Sequence, residues 1–213
     1  MSEQNLDAIY YAVLDGNAPV AREETQKALD SGVTAEAILY QACIPAMDEV
    51  GYQFEIGEKF VPEMLIAARA MDSAMDLLRP LLIEEGVEQI GTVVAGTVQG
   101  DLHDIGKNLV MMMMEGAGFR IVDLGTDVAP EKFVEAVKNE HPDILAMSAL
   151  LTTTTRSIIA TINALEEAGL RNQVKVMIGG APITQDFADK VGADGFAPDA
   201  GSAARKAKEL LAA

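Results

Sequence analysis

The chain has 213 residues, 49% hydrophobic but only 5% aromatic and without Trp, so it holds one large or two small domains with an aliphatic core filled by Met and Ala. A net charge of −17 argues against binding nucleic acid or an anionic membrane, since both require a basic face. The single Cys excludes an intramolecular disulfide framework, and no apolar run approaches the ~18 residues of a membrane span.

The opening residues lack the basic stretch and long apolar core of a signal peptide, so a cytoplasmic location is expected. Residues 3–15 place Leu6, Ile9, Tyr10, Val13 and Leu14 at helical spacing, with Gly16 as a stop. Residues 18–30 form a second helix of mixed charge that ends at Ser31-Gly32. Thr34 caps a third, with Glu36 in the first turn where a carboxylate suits the helix dipole. Its apolar positions are Ile38, Leu39, Ala42, Met47 and Val50, and Pro45 kinks or loosens it. A fourth helix starts near Val61-Pro62-Glu63, with proline in its first turn, and continues to Leu82. Four helices with short turns predict a small antiparallel bundle.

Between the third and fourth helices runs Phe54-Glu55-Ile56-Gly57-Glu58-Lys59-Phe60-Val61-Pro62. Two of the chain's six phenylalanines fall in this connection, an arrangement that suits plugging the end of a bundle. The stretch 84–89 is short, acidic and turn-like and reads as a domain linker. The predicted division is therefore a helical domain over 1–85, a linker over 86–90 and a second domain over 91–213.

From residue 90 the pattern alternates strand and helix. Strands are expected at 92–95, 120–123, 144–148, 174–178 and, weakly, 195–197; helices at 104–116, 131–139, 155–168, 184–191 and 200–211. Five such units imply an α/β fold with a doubly wound parallel sheet and right-handed crossovers. Met111 to Met114 form a run that covers every face of its helix, which is packing rather than chemistry.

In such a sheet ligands sit at the carboxyl ends of the strands. The loop after the first strand, Gln99-Gly100-Asp101-Leu102-His103, lies at such an end and holds one of only two histidines. An Asp-x-His triplet often marks nothing more than a solvated turn. It also suits a metal ligand oriented from behind: the carboxylate takes the N–H of one ring nitrogen and frees the other to coordinate. Zinc would need about three or four Cys, His or carboxylate ligands. With one Cys, Cys43, and one other His, His141, a metal here would have to arrive already held, as by a macrocycle. At the next strand end come Ser148, Leu150 and the row Thr152 to Thr155, of which Thr154 or Thr155 is expected to cap the following helix. Gly179-Gly180 follows the fourth strand, where missing Cβ atoms admit a ligand close to the backbone.

Asp101-Leu102-His103-Asp104-Ile105-Gly106, then Ser148-Ala149-Leu150, then Gly179-Gly180, resembles the cobalamin-binding signature of methyltransferases: Asp-x-His-x-x-Gly, Ser-x-Leu, Gly-Gly. The wider text His103-Asp104-Ile105-Gly106-Lys107-Asn108 is similar to methionine synthase and the corrinoid methyl carriers, and the likeness extends into the N-terminal third. The resemblance implies a helical-bundle cap followed by a flavodoxin-like, Rossmann-like five-stranded sheet, with cobalamin as cofactor and methylcobalamin as its loaded form. It implies that His103 is the lower axial ligand to cobalt and that His103, Asp101 and Ser148 form a hydrogen-bonded relay. It further implies that Gly100, Leu102, Asp104, Ile105 and Gly106 surround the lower face of the corrin. Leu150, Thr152, Gly179 and Gly180 would line the channel for the nucleotide tail. Phe54 and Val61 fall at positions similar to the cap's methyl-contacting pair; the second is usually Leu, so Val61 departs from the pattern.

The function implied is a methyl carrier rather than a complete enzyme. Its partners would be a substrate-specific methyltransferase, a second methyltransferase using coenzyme M or tetrahydrofolate, and an ATP-dependent corrinoid reactivation protein, with no nucleic acid and no membrane. The methyl donor is left open among a methylamine, methanol, a betaine and a methoxylated aromatic. A cobalamin-dependent sensor is the alternative, but it would need an output module such as a basic DNA-binding domain, which the charge pattern does not suggest.

Overall fold

In the N-terminal third, caps and breakers decide where the helices start and stop. The computed structural model describes residues 2–87 and 89–212, with side chains from residue 6 onward. α1 covers Ser2–Leu14. α2 covers Ala18–Asp30, opened by Asn17, whose side chain accepts a hydrogen bond from the Val20 N–H at 3.3 Å. Thr34 caps α3, Ala35–Ile38, by accepting from the Ala37 N–H at 3.1 Å.

A π-helical turn, Leu39–Cys43, joins α3 to α4, Ile44–Glu55. Pro45 therefore loosens the helix without breaking it. It has no N–H to offer the carbonyl four residues back, and the turn before it widens to absorb the lost bond. α5 covers Val61–Glu85, and Glu63 in its first turn accepts from the Phe60 N–H at 3.1 Å. The helix tolerates Pro80 in its interior because that residue is exposed, which leaves the unpaired carbonyl on the wet side. α5 ends at Gly86, in the left-handed conformation at φ +68°. Glu84 and Glu85, expected in the linker, are thus its last turn, and Glu88 of that linker lies outside the described residues. α2 packs against α1 and α5, and alanines such as Ala21, Ala28, Ala70 and Ala74 are fully buried, letting the helices approach closely.

Apart from residues 116–118, which group with the first, the chain divides into two units between α5 and the first strand. The second holds one five-stranded, all-parallel sheet in the order β2-β1-β3-β4-β5, the flavodoxin-like order. Its strands are β1 Thr92–Thr97, β2 Arg120–Asp123, β3 Ile144–Ser148, β4 Lys175–Gly179 and β5 Gly195–Phe196. The crossover helices are α6 Ile105–Gly116, α7 Pro130–Glu140, α8 Thr155–Glu167 and α9 Gln185–Val191, with α10 Ala200–Ala212 closing the chain.

The central strands β1, β3 and β4 are nearly continuous apolar runs, as burial on both faces demands. Val94, Leu145, Val176 and Ile178 from the strands meet Phe133, Val137, Ile158, Ile162 and Leu165 from α7 and α8 in one core. Of the methionine run, Met113 and Met114 are buried and Met111 and Met112 half-buried, consistent with packing.

The register places the functional ends. Thr97, the last residue of β1, pairs with Ser148, the last of β3, which pairs with Gly179, the last of β4. The chain leaves β1 toward β2 on one side and returns to β3 on the other, so the loops after β1 and β3 diverge at the topological switch point of the sheet.

Candidate functional site

The loop from β1 to α6 is built around a buried carboxylate. Asp101 is fully buried and accepts five hydrogen bonds. Its Oδ1 takes the backbone N–H of His103 at 3.1 Å and lies 2.7 Å from His103 Nδ1. Its Oδ2 takes the Leu150 N–H at 2.8 Å, the Leu151 N–H at 3.3 Å and the Thr154 hydroxyl at 2.7 Å. Burial alone would push the Asp101 carboxyl up. The bonds from the Thr154 hydroxyl, the His103 and Leu150 N–H groups and the His103 ring outweigh it and hold Asp101 well below the usual carboxylate range.

An ionised Asp101 can only accept, so the proton on the His103 ring sits on Nδ1 and the lone pair on Nε2. The imidazole is 52% exposed while its carboxylate partner is 0% exposed. The arrangement is a half-exposed nitrogen base whose tautomer and direction are set from behind by a buried anion.

The loop is clamped from both sides. Thr97 donates its hydroxyl to the His103 carbonyl at 2.9 Å. Ser157, on α8, donates to the Gln99 carbonyl at 2.9 Å. Asp127, in the β2–α7 connection, accepts the Gly100 N–H at 2.7 Å, while its own N–H donates to the Asp101 carbonyl at 3.0 Å.

The hydroxyl at the carboxylate corrects one expectation. Ser148 was expected to bond Asp101; the hydroxyl that does so belongs to Thr154. Ser148 ends β3 and pairs there with Thr97 and Gly179, and its carbonyl accepts from the Val98 N–H at 3.0 Å. The chain after β3 then turns, bringing the Leu150 and Leu151 N–H groups and the Thr154 side chain to Asp101 together. Thr154 does occupy the cap position of α8, as one of two expected candidates, but it makes no side-chain cap bond because its hydroxyl is engaged at Asp101 and the Leu151 carbonyl.

The glycines divide in the same way. Gly180 has φ +120°, and a Cβ there would lie 1.9 Å from the Ala149 carbonyl oxygen. Its lack of a side chain is demanded by the chain itself, before any ligand is considered. At Gly106, in the first turn of α6, a Cβ would meet nothing beyond its own helix within 4 Å, so that face is open. Gly179 is intermediate: a Cβ would make an ordinary contact with the Ala197 carbonyl at 3.7 Å.

The remaining expected residues fall as follows. Leu102 and Ile105 flank His103 and are 73% and 76% exposed. Leu150 and Thr152 are exposed on the loop after β3, Asp104 is half-buried, and Gly100 adopts φ +84°. Phe54, in the last turn of α4, and Val61, at the start of α5, belong to the helical unit and are half-buried. Thr97, Asp127 and Ser157 were not singled out from the sequence. Thr97 was missed because β1 runs two residues further than its apolar stretch, and nothing in the spacing marks Asp127.

Among the described residues no group of three or more His, Cys, Asp or Glu could hold a metal ion, so a metal at His103 would have one protein ligand. The surroundings fit a metal carried in a large, flat, mostly apolar organic group. His103 offers Nε2, Leu102, Ile105 and Leu150 offer exposed apolar surface, and the open side of Gly106 leaves room for close approach.

Comparison with known proteins gives the same picture. Residues 91–206 match the family described as B12 binding domain, and residues 6–79 match a second family with that description. The chain is 43% identical over 202 residues to trimethylamine corrinoid protein 1 of Methanosarcina acetivorans, covering 94% of each chain. It is 40% identical over 210 residues to dimethylamine corrinoid protein 3 of the same organism, covering 97% of this chain and 99% of the relative. Among solved structures it is similar to a cobalamin-binding protein from Desulfitobacterium hafniense DCB-2, with TM-score 0.83 and 34% identity over 96% of this chain and 98% of that one. It is also similar to a chain of the methanol:cobalamin methyltransferase complex MtaBC from Methanosarcina barkeri, with TM-score 0.86 and 29% identity over 99% of this chain and 80% of that one.

Proposed function

The chain belongs to the B12-binding corrinoid protein family, and from that premise we propose that it carries a methyl group between two methyltransferases, the first of which takes it from a methylamine. The observation that carries this reading is the His103–Asp101 pair, a half-exposed imidazole fixed at Nδ1 by a buried, ionised carboxylate. Cobalamin, when bound, supplies the chemistry, because its cobalt both accepts and releases methyl groups.

The chain's own residues do the rest. His103 would hold the metal through Nε2, with Asp101 fixing the tautomer and direction of the ring. The Thr154 hydroxyl and the Leu150 and Leu151 N–H groups keep Asp101 ionised, which preserves that direction. Leu102 and Ile105 exclude water around the imidazole, and Gly106 lets the group seat closely. Thr152, Gly179 and Gly180 line the far end, where the nucleotide tail would run.

The acceptor-side partner uses coenzyme M or tetrahydrofolate, and an ATP-dependent reactivation protein restores the reduced cofactor. The donor class follows the names of the relatives, which are trimethylamine and dimethylamine corrinoid proteins, while the methanol system enters through a less similar chain. Among the described residues no helix is long and apolar enough to cross a membrane.

To test the assignment, purified protein is loaded with cobalamin and reduced. It is then mixed with each substrate-specific methyltransferase in turn, supplied with trimethylamine, dimethylamine, monomethylamine or methanol. Conversion of the visible spectrum with an amine and its methyltransferase is expected. Conversion with methanol alone would move the donor class, and no conversion in any mixture would remove the carrier role.

A further inference from the structure

Lys107 stands where a lysine is disfavoured twice. It lies in the first turn of α6, where the helix dipole opposes a cation, and it is only 5% exposed. A buried ammonium costs free energy unless it is paired, and an apolar side chain of similar length would avoid that cost. The pairing is therefore the feature to explain. Lys107 Nζ donates to Asp123 Oδ1 at 2.6 Å and to Asn108 Oδ1 at 2.9 Å.

Asp123 is the last residue of β2, and the oxygen that accepts Lys107 also accepts the Gly125 N–H at 2.9 Å. The Gly125 carbonyl accepts the Thr97 N–H at 2.9 Å, and Thr97 donates its hydroxyl to the His103 carbonyl. Two residues beyond Gly125, Asp127 holds Gly100 and Asp101 from a left-handed backbone at φ +53°, which only surrounding structure maintains. The segment 123–127 thus grips the histidine loop at Thr97, Gly100 and Asp101, and Lys107 grips the start of that segment from the helix on the loop's other side.

We propose that Lys107 is a positioning residue for His103: by pinning Asp123 it sets the β2–α7 connection, and that connection sets the backbone from which the imidazole projects. The proposal rests on the reading of His103 as the metal ligand. The structure places no other cation on Asp123 among the described ion pairs, so removing Lys107 releases the first link of the chain.

The chain has only two histidines, which makes the test legible by NMR with His141, at the end of α7, as an internal control. The full chain is compared as wild type, Lys107→Met, Asp123→Asn and Lys107→Arg. In cofactor-free protein, Lys107→Met and Asp123→Asn are expected to speed amide exchange at Gly100 and Asp127 about tenfold relative to Val94 and Leu145 in the core strands. They should also shift the His103 ring resonances and leave those of His141 in place. In cobalamin-loaded protein the same variants should lower the histidine-ligated fraction of the spectrum, and Lys107→Arg should recover part of each effect. Wild-type exchange at Gly100 and Asp127 with an unmoved His103 ring in Lys107→Met would overturn the proposal. Should that variant fail to fold, Asp123→Asn, at a partly exposed position, decides by the same criteria. The underlying reading is checked separately: an unchanged loaded spectrum in His103→Ala removes His103 as ligand, while exchange and ring shifts still decide the role of Lys107.

Discussion

Thr154 donates its hydroxyl to Asp101 Oδ2 across 2.7 Å, bringing the cap position of α8 to the carboxylate that orients His103. The relationship joins the loops after β1 and β3, which share no sequence proximity, and it leaves Ser148 outside the network of Asp101. Both ends are buried, so the bond is shielded from competing water.

The first expectation follows directly. Thr154→Ala strips a buried, charge-assisted bond and should lower stability by about 1–3 kcal/mol, the usual cost of leaving a buried charged acceptor short of a donor. It should also reduce the histidine-ligated fraction of the cobalamin-loaded protein. Ser148→Ala should do neither to a comparable degree. Urea melts and visible spectra of the two variants settle the order, and a larger effect from Ser148→Ala would return the relay to Ser148.

Asp101 also sets a pH dependence. Its folded-state pKa lies well below the roughly 3.9 of an unfolded chain. A carboxylate depressed on folding contributes stability that is fully present above the unfolded value and is lost as pH falls through the folded one. Wild type should therefore exceed Asp101→Asn in stability near neutral pH, and the gap should narrow steadily as pH falls below about 4. Urea midpoints of both proteins at several pH values between 3 and 7 give the curve. A gap that stayed constant would mean that folding leaves the Asp101 pKa unshifted, and a gap that moved in favour of wild type toward low pH would mean that folding raises it.

A pair of glycine substitutions separates space needed by the chain from space left for a ligand. Gly180→Ala drives a Cβ to 1.9 Å from the Ala149 carbonyl at a left-handed φ, and should cost at least about 2 kcal/mol. Gly106→Ala meets open space and should be neutral or stabilising by up to about 1 kcal/mol, since alanine favours a helix. Its penalty should appear instead as weaker cobalamin retention. Thermal melts with and without cofactor make the comparison, and unchanged cofactor affinity in Gly106→Ala would show that nothing seats against that face.

His141 offers a control far from this chemistry. It ends α7 in the left-handed conformation at φ +46°, a position that favours glycine. His141→Gly should raise stability by about 0.5–1 kcal/mol and leave the cobalamin spectrum as in wild type. A spectral change would give His141 a role in the site.

Much of the architecture was legible because each element carries its own signal. β2 and β3 occupy the residues their β-branched and apolar runs mark, and α2 lies between its turn residues, since burial on a sheet face or a helix stripe is written into local periodicity. The three-part motif likewise marked which loops converge, because strand register puts Thr97, Ser148 and Gly179 side by side once the sheet is parallel. What periodicity does not carry is the path of a loop. Whether Ser148 or Thr154 reaches Asp101 depends on the turn after β3, and Gly180 is required by a carbonyl from another strand's end. The burial of Lys107 depends on where β2 stops relative to α6. These are hydrogen-bond and steric relations between segments far apart in the chain, and only the packed sheet brings their partners within reach.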